Sequence, residues 1–159
     1  MRSVCGLIGL LVAMSCGPPP APPAMPLEPD DFTLRGVPAD ADSAELRLTF
    51  GDPDSTVESR NPFDDGTPLV TWLYDGFEIR FGGSSTPVGY MIHAPGESTA
   101  RGVTVGDPAE RLRRLYGDPT TRNDLSWTYA YAGDSALHVI DAVIEADTVR
   151  RIYIGWALQ

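Results

Sequence analysis

The sequence predicts an α+β fold: a tandem repeat of a helix and a three-stranded antiparallel meander, with the helices packed on one face of the sheet. Three observations lead to this prediction. Short sequence blocks recur 66 residues apart, beginning with Arg35-Gly36-Val37 and Arg101-Gly102-Val103. Each copy then has an apolar pattern of helical period that ends at a glycine. Runs rich in apolar and aromatic residues follow, as is typical of strands.

The chain begins with a segment that has the features of a secretory signal peptide, residues 1–15. Arg2 supplies a positive charge ahead of an eleven-residue apolar stretch, which is too short to span a membrane because a spanning helix needs about 20 residues. The residues that end in Ser15 and Cys16 resemble the lipobox of bacterial lipoproteins. In that family cleavage falls between these two positions, and the Cys16 sulfur would receive a diacylglycerol. An ordinary signal peptide cleaved at a nearby small residue is the alternative.

Residues 16–29 are predicted to be the lipidated Cys and a Pro-rich tether. Seven of the thirteen residues from Gly17 to Pro29 are Pro, so this stretch favours extended polyproline II and cannot form a core. A ligand for a Pro-binding groove is the alternative use. Gly17 after the Cys, rather than Asp, resembles lipoproteins sorted to the outer membrane. We therefore expect a cell-envelope protein, facing the periplasm from the outer membrane if the organism has two membranes.

The composition excludes several classes of function. The 159 residues carry 22 acidic and 12 basic side chains, a formal net charge of -10, and every basic residue is Arg. Without Lys the chain has no Walker A loop, Schiff base or SxxK nucleophile. An acidic chain without a basic cluster is a poor ligand for nucleic acid. The two Cys, Cys5 and Cys16, lie in the N-terminal segment and predict neither a disulfide framework nor a zinc site.

The first unit, residues 30–95, is predicted to contain a helix from Asp42 to Phe50 that Gly51 and Pro53 terminate. Its strand-like runs are Leu69 to Tyr74, Phe77 to Phe81 and Val88 to Ile92.

Asp75-Gly76 is a strong hairpin signal and predicts a two-residue type I′ turn. Tyr74 then lies opposite Phe77, and six large apolar residues share one face, which we interpret as the core. Leu73 and Arg80 fall on the other face with Thr71 and Glu78. Trp72 and Tyr74 are therefore expected to be mainly structural.

The second unit, residues 96–159, repeats this order. Its helix is predicted at Pro108 to Tyr116 with Asp107 as the N-cap, and its strands at Ser126 to Tyr131, Ala136 to Ile144 and Val149 to Trp156. The register of the second hairpin stays open, because its loop has two, three or four residues; by analogy its aromatic residues point inward. The last strand would present Arg151 and Tyr153 outward, residue types that are enriched at binding hot spots.

These features together resemble the BamE (SmpA/OmlA) family of small outer-membrane lipoproteins. The shared motifs are a lipidated Cys and tether, a helix that ends in Phe50-Gly51-Asp52-Pro53, and a strand with Trp72 and Tyr74. Asn61 to Gly66 looks like the Pro-Phe-Gly segment that the family carries there. The repeat resembles the two-repeat architecture of β-lactamase inhibitory protein, whose helices lie against an antiparallel sheet with one face free. The resemblance implies a protein that binds other proteins.

Catalytic and metal-binding patterns are absent from the sequence. It has no GxSxG, HExxH, EF-hand or Gly-rich phosphate loop. His93 and His138 are interpreted as structural. The carboxylates of Asp52 to Asp54 and of Asp64-Asp65 lack the spacing of a calcium loop. We therefore expect no catalytic residue, no metal and no cofactor.

The expected function is that of a lipid-anchored, non-enzymatic protein–protein interaction module of the cell envelope. An envelope protein would be its partner, and acyl chains on Cys16 would hold it at the membrane, with no part for nucleic acid. The expected partner-binding residues are Leu73, Arg80, Arg151 and Tyr153. Two alternatives remain: a proteinaceous inhibitor of an extracytoplasmic hydrolase such as a β-lactamase, and a binder of a small apolar or glycan ligand.

Overall fold

The computed structural model describes residues 26–60, 66–83, 86–131, 133 and 138–157. These residues form two short α-helices, ten strands and a 3₁₀ helix at Pro29–Phe32. The elements follow in the order β1 (Thr33–Leu34), β2 (Val37–Pro38), α1 (Ser43–Phe50), β3 (Ser55–Ser59), β4 (Leu69–Tyr74), β5 (Phe77–Phe81), β6 (Pro87–Ile92), α2 (Ala109–Tyr116), β7 (Thr121–Arg122), β8 (Ser126–Ala130), β9 (His138–Glu145) and β10 (Thr148–Trp156).

Eight strands form one antiparallel sheet in the order β3-β4-β5-β6-β10-β9-β8-β7, and β1 pairs with β2 in a separate two-stranded sheet. Strands β4, β5 and β6 make one meander, and β8, β9 and β10 make the other. The meanders meet where β6 pairs with β10. They therefore join edge to edge into a continuous sheet rather than packing face to face.

The predicted fold class, an α+β tandem repeat of a helix plus a three-stranded meander with helices packed on one face of the sheet, is wrong. The protein is mainly β, because each helix has only eight residues and each meander gains a fourth strand at its outer edge, β3 or β7. Both edge strands consist entirely of exposed residues, so hydrophobic periodicity does not reveal them. The six strands predicted from periodicity are present, with ends that differ by at most two residues.

The Asp75-Gly76 hairpin has the predicted register but a different turn. Tyr74 pairs with Phe77, as expected. Of the two turn residues only Gly76 has a positive φ, 87°, so the turn is not type I′, which needs a positive φ at both positions. That conformation occurs instead between β9 and β10, at Ala146-Asp147, where φ is 47° and 56°.

The second meander also places its aromatic residues inward. Trp127 and Tyr129 are 7% and 2% exposed, which confirms the inference by analogy. The last strand departs from strict alternation, because a β-bulge interrupts its pairing between Val149 and Arg151. Val149 is consequently buried in the core, although the sequence predicted it on the same face as Arg151.

The helices begin at different kinds of cap. Asp42 caps α1, and its carboxylate accepts hydrogen bonds from the N–H groups of Ala44 and Glu45 at 2.8 and 2.9 Å. Helix α2 starts one residue later than predicted, with Pro108 in the N-cap position. The Asp107 carboxylate instead accepts from the N–H of Thr104 at 2.9 Å. Both helices bury apolar side chains in the same core cluster as the sheet, among them Leu46 and Leu112.

Two ion pairs cross between the halves of the chain and are related by the 66-residue repeat. Arg101 of the second unit donates to Asp31 of the first, with Nε–Oδ1 and Nη2–Oδ2 distances of 2.6 and 2.5 Å. Arg35 of the first unit donates in the same way to Glu97 of the second. Arg35 and Arg101 are equivalent in the repeat, and so are Asp31 and Glu97. Equivalent residues thus exchange partners across the two halves.

The two pairs differ in burial and in the number of further contacts. The Arg101 and Asp31 side chains are 13% and 7% exposed, whereas Arg35 is 49% exposed. Arg101 also donates to the carbonyls of Leu115 and Pro26 at 2.9 and 2.7 Å. Removing one partner of a buried ion pair leaves a buried charge without its counterion and costs far more than breaking an exposed pair.

We predict that Arg101→Ala lowers the free energy of unfolding by about 3 kcal/mol, because it leaves Asp31 buried and unpaired. The matched variant Arg35→Ala should lose only about 1 kcal/mol: its partner Glu97 is 11% exposed, but the Arg35 guanidinium is half exposed, so its removal opens Glu97 to water. Urea unfolding of both proteins measures the difference. Equal losses would show that burial does not distinguish the two pairs.

Candidate functional site

The pairing registers divide the side chains of the sheet between two faces. One face, the core face, contacts the helices: Phe50 of α1 lies against Tyr74, Phe77 and Tyr90, and Tyr116 of α2 lies against Tyr129. We call the opposite face the open face. From the registers, its central strands carry Leu73, Glu78, Arg80, Gly89, Met91, Arg151, Tyr153, Gly155, Val139, Asp141, Ser126, Thr128 and Ala130.

The centre of the open face is built around two opposed glycines. Gly89 of β6 pairs with Gly155 of β10, and the two lie 66 residues apart in the chain. A Cβ added at Gly89 would meet the carbonyl oxygen of Ile154 at 2.6 Å and the Tyr153 ring at 2.7 Å; one added at Gly155 would meet the carbonyl oxygen of Val88 at 2.4 Å. The absence of side chains therefore lets the Tyr153 ring lie against the backbone of the junction.

Tyr153 is held tightly at this junction. Its hydroxyl lies within hydrogen-bonding distance of two carbonyl oxygens, those of Val88 at 2.8 Å and Trp156 at 2.9 Å, and donates its single proton to them. The residue is 7% exposed. Burial raises the pKa of its phenol to about 12, an effect that the nearby positive charge of Arg80 reduces. Tyr153 thus shapes the open face and presents little of its own surface.

A groove of about 350 Å³ crosses the open face beside Tyr153. Its lining combines Met91 and Val139 with the charged Arg80 and Asp141. The Thr128 hydroxyl donates to Asp141 Oδ1 at 2.7 Å across neighbouring strands. Arg80 Nε donates to Glu78 Oε1 at 2.9 Å. Each charge in the groove therefore has a neighbour on the same face that fixes its position.

All four predicted partner-binding residues lie on the open face. Arg80 and Tyr153 line the groove. Leu73 is partly exposed on β4 and pairs with Glu78; two strands, β5 and β6, separate β4 from β10. Arg151 is exposed on β10 beyond the groove. The structure thus brings Arg80 and Tyr153 together and leaves Leu73 and Arg151 on either side of them.

Sequence reasoning missed Asp141 as a member of this face. The signal for it was present, because Asp141 is the single carboxylate inside the apolar run from His138 to Ile144. A charge in the middle of a strand indicates that its position faces solvent or a polar neighbour. Thr128 lies on the same face, opposite the side of β8 that carries Trp127 and Tyr129.

A second cavity, of about 410 Å³, lies on the core face beside Trp72. Val70, Phe81 and Ser43 also line it. The Arg47 guanidinium stacks on the indole of Trp72 at 4.4 Å from the ring centre. The lining of this cavity is apolar and would suit a small apolar ligand.

The described residues contain no group of three or more His, Cys, Asp or Glu side chains arranged to hold a metal ion. His138 packs between the rings of Phe32 and Trp156, with centroid separations of 5.3 and 4.4 Å. His93 is exposed after the end of β6. No helix in this part of the chain is long and apolar enough to cross a membrane. Ser15 and Cys16, the predicted cleavage and lipidation site, lie outside the described residues.

Comparisons of the chain with protein-family models, with curated proteins and with solved structures gave no match.

We predict that Tyr153→Phe lowers the free energy of unfolding by about 1 kcal/mol at pH 7, because buried carbonyls lose their donor. The pKa of Tyr153 is higher in the folded protein than its ordinary value of 10. Its contribution is therefore complete below pH 10 and is lost as the pH rises towards 12. The stability gap between the two proteins should narrow over this interval in urea unfolding series. Parallel stability curves from pH 9 to 12 would contradict the burial of the phenol.

Proposed function

We propose that this protein is a lipid-anchored, non-enzymatic binding module of the cell envelope, and that the open face binds another envelope protein. The observation that carries the proposal is the partly exposed surface of mixed polarity on one side of a continuous eight-stranded sheet, with a groove near its centre. Functional surfaces of binding proteins are commonly held by a rigid scaffold. The antiparallel sheet provides such a scaffold, because every strand between its two edges is bonded on both sides.

The chemistry of the open face suits a protein partner. A protein interface combines an apolar centre with a polar rim and fixed hydrogen-bonding groups. Met91 and Val139 supply apolar surface in the groove, and the Thr128–Asp141 and Glu78–Arg80 pairs supply oriented polar groups beside it. These pairs hold the side chains in place before a partner binds, so that less side-chain conformational entropy is lost on binding.

The place where the end of the predicted tether meets the domain also supports the proposal. Pro26, at the end of the predicted tether, accepts a hydrogen bond from Arg101 at 2.7 Å, and Leu27 packs against the core. The chain therefore reaches the domain close to the buried Asp31–Arg101 pair. Arg101 contacts Leu115 and Tyr116 of α2, on the core-face side of the sheet, so this attachment leaves the open face accessible to a partner.

We predict that a photoreactive amino acid in place of Arg151 crosslinks a specific envelope protein in cells. The same substitution at Arg114, an exposed residue of α2, is the matched control and should give at least tenfold less of that adduct. Mass spectrometry then identifies the partner; a hydrolase would favour the inhibitor alternative. Adducts from position 114 alone would contradict binding at the open face.

We predict that Cys16→Ser moves the protein from the membrane fraction to the soluble fraction of the envelope. The reason is that the diacylglycerol acceptor is lost, while the folded domain is unchanged. Cys5→Ser is the matched control, because it removes the other thiol without altering the cleavage site, and it should leave the protein in the membrane fraction. Membrane retention of the Cys16→Ser protein would contradict the proposed lipid anchor at Cys16.

A further inference from the structure

No strand among the described residues pairs with the outer side of the edge strand β3, Ser55–Ser59. The β4–β5 hairpin closes with Tyr74 paired to Phe77, so alternate β4 residues, including Leu73 and Thr71, direct their backbone groups to β3. The carbonyl of Leu73 accepts from the N–H of Asp54 at 2.9 Å, in agreement with this. Ser55, Val57 and Ser59 therefore bond to β4. The backbone N–H and C=O groups of Thr56 and Glu58 point outward.

The two edges of the sheet differ in what they offer. Strand β7 at the far edge has only two residues, Thr121–Arg122, and is too short to act as a template. Strand β3 has five residues, all of them exposed, and contains neither Pro nor Lys nor a bulge. Pro, Lys and bulges are among the features by which proteins block pairing at an exposed edge; charged side chains are another, and Glu58 is the one charge in β3. Val57 in the middle of β3 is 46% exposed.

We propose that β3 pairs with β3 of a second copy of this chain, antiparallel and with the twofold axis at Val57. In this register Thr56 of each copy lies opposite Glu58 of the other. The outward N–H and C=O groups of these two residues then bond to one another across the axis. The two valines face each other on the side of the open face, and each Thr56 hydroxyl can donate to the opposing Glu58 carboxylate.

Charge selects this register over its neighbours. A slip by two residues in one direction puts Glu58 opposite Glu58, and a slip in the other direction puts Asp54 opposite Glu58. Like charges directly opposite each other destabilise a strand pair. A slip by one residue misaligns the outward backbone groups. In the register centred on Val57, the flanking residues that face each other are Asp54 and Arg60, which have opposite charges.

The pairing would extend the sheet of one copy into the sheet of the other. Val57 lies on the open face, because it pairs with Thr71 of β4. The open faces of the two copies would therefore lie on the same side of one larger sheet. Self-association would use the edge strand β3, and partner binding would use the open face. Each can therefore be tested separately.

Disulfide capture tests the twofold position directly. The full chain with Cys5→Ser and Cys16→Ser has no other thiol, so a single Cys can be placed at Val57. Opposed residues that are not hydrogen-bonded have Cα atoms about 4.5 Å apart, within the range of a disulfide. Ser55→Cys in the same background is the control, because its two copies would lie about 13 Å apart along the strands.

The expected result is at least tenfold more disulfide-linked dimer for Val57→Cys than for Ser55→Cys under mild oxidation. Equal yields for the two variants, or no linked dimer from either, would overturn the proposed register.

A charge exchange provides the second measurement. Thr56→Glu places carboxylates opposite each other and should weaken the dimer about tenfold in sedimentation velocity; adding Glu58→Arg restores opposite charges and should recover the dimer. Both side chains are exposed, and unchanged urea midpoints show that the variants are folded. A wild-type protein that stays monomeric at every concentration would overturn the proposal, and so would a strand from a different protein on this edge.

Discussion

The pairing of β6 with β10 is the contact on which the rest of the structure depends. Each meander alone buries little core, and only this junction joins the meanders into one sheet over a shared cluster. Gly89 and Gly155 meet at its centre, where a Cβ on either would lie less than 3 Å from backbone atoms. Strands β6 and β10 are the last strands of the two meanders and pair antiparallel, so the pseudo-twofold axis that relates the two units lies within this junction. Tyr153 covers the bare backbone and offsets the packing that the glycines lack.

The same pseudo-symmetry explains how the segments before the helices are fixed. Arg35 and Arg101 each reach into the opposite unit and pair with the equivalent carboxylate, and each guanidinium lies near the last aromatic residue of a helix, Phe50 or Tyr116. The two ion pairs lie in different environments. In one pair both side chains are enclosed and the guanidinium is bonded to two further carbonyls, whereas in the other the guanidinium is half exposed. Burying an ion pair costs desolvation free energy, and removing one partner of a buried pair is strongly destabilising. The main effect of the Asp31–Arg101 pair is therefore to define how the two units are arranged.

Six strands, the register of the first hairpin and the inward direction of Trp72 and Trp127 were predictable from the sequence, because a buried face imposes a strict period of two. The fold class was not, since β3 and β7 are polar and exposed and carry no such period. The bulge after Val149 was also hidden, because its position follows from packing on both sides of β10.

Among the site residues, the face of Leu73, Arg80, Arg151 and Tyr153 followed from alternation. The burial of Tyr153 did not, because it depends on two distant glycines meeting.

The glycine junction also accounts for the character of the open face. A sheet that must hold two backbones in close approach at its centre cannot place large side chains at those points. The surface of the sheet is therefore recessed at the two glycines. The walls of the groove are formed by the residues around them, Met91, Val139, Asp141 and Thr128. The groove is therefore a result of joining the two units, and neither unit would have it alone. A binding surface on this face thus requires the repeat, which gives a physical reason for a two-unit chain to keep both halves and the glycines between them.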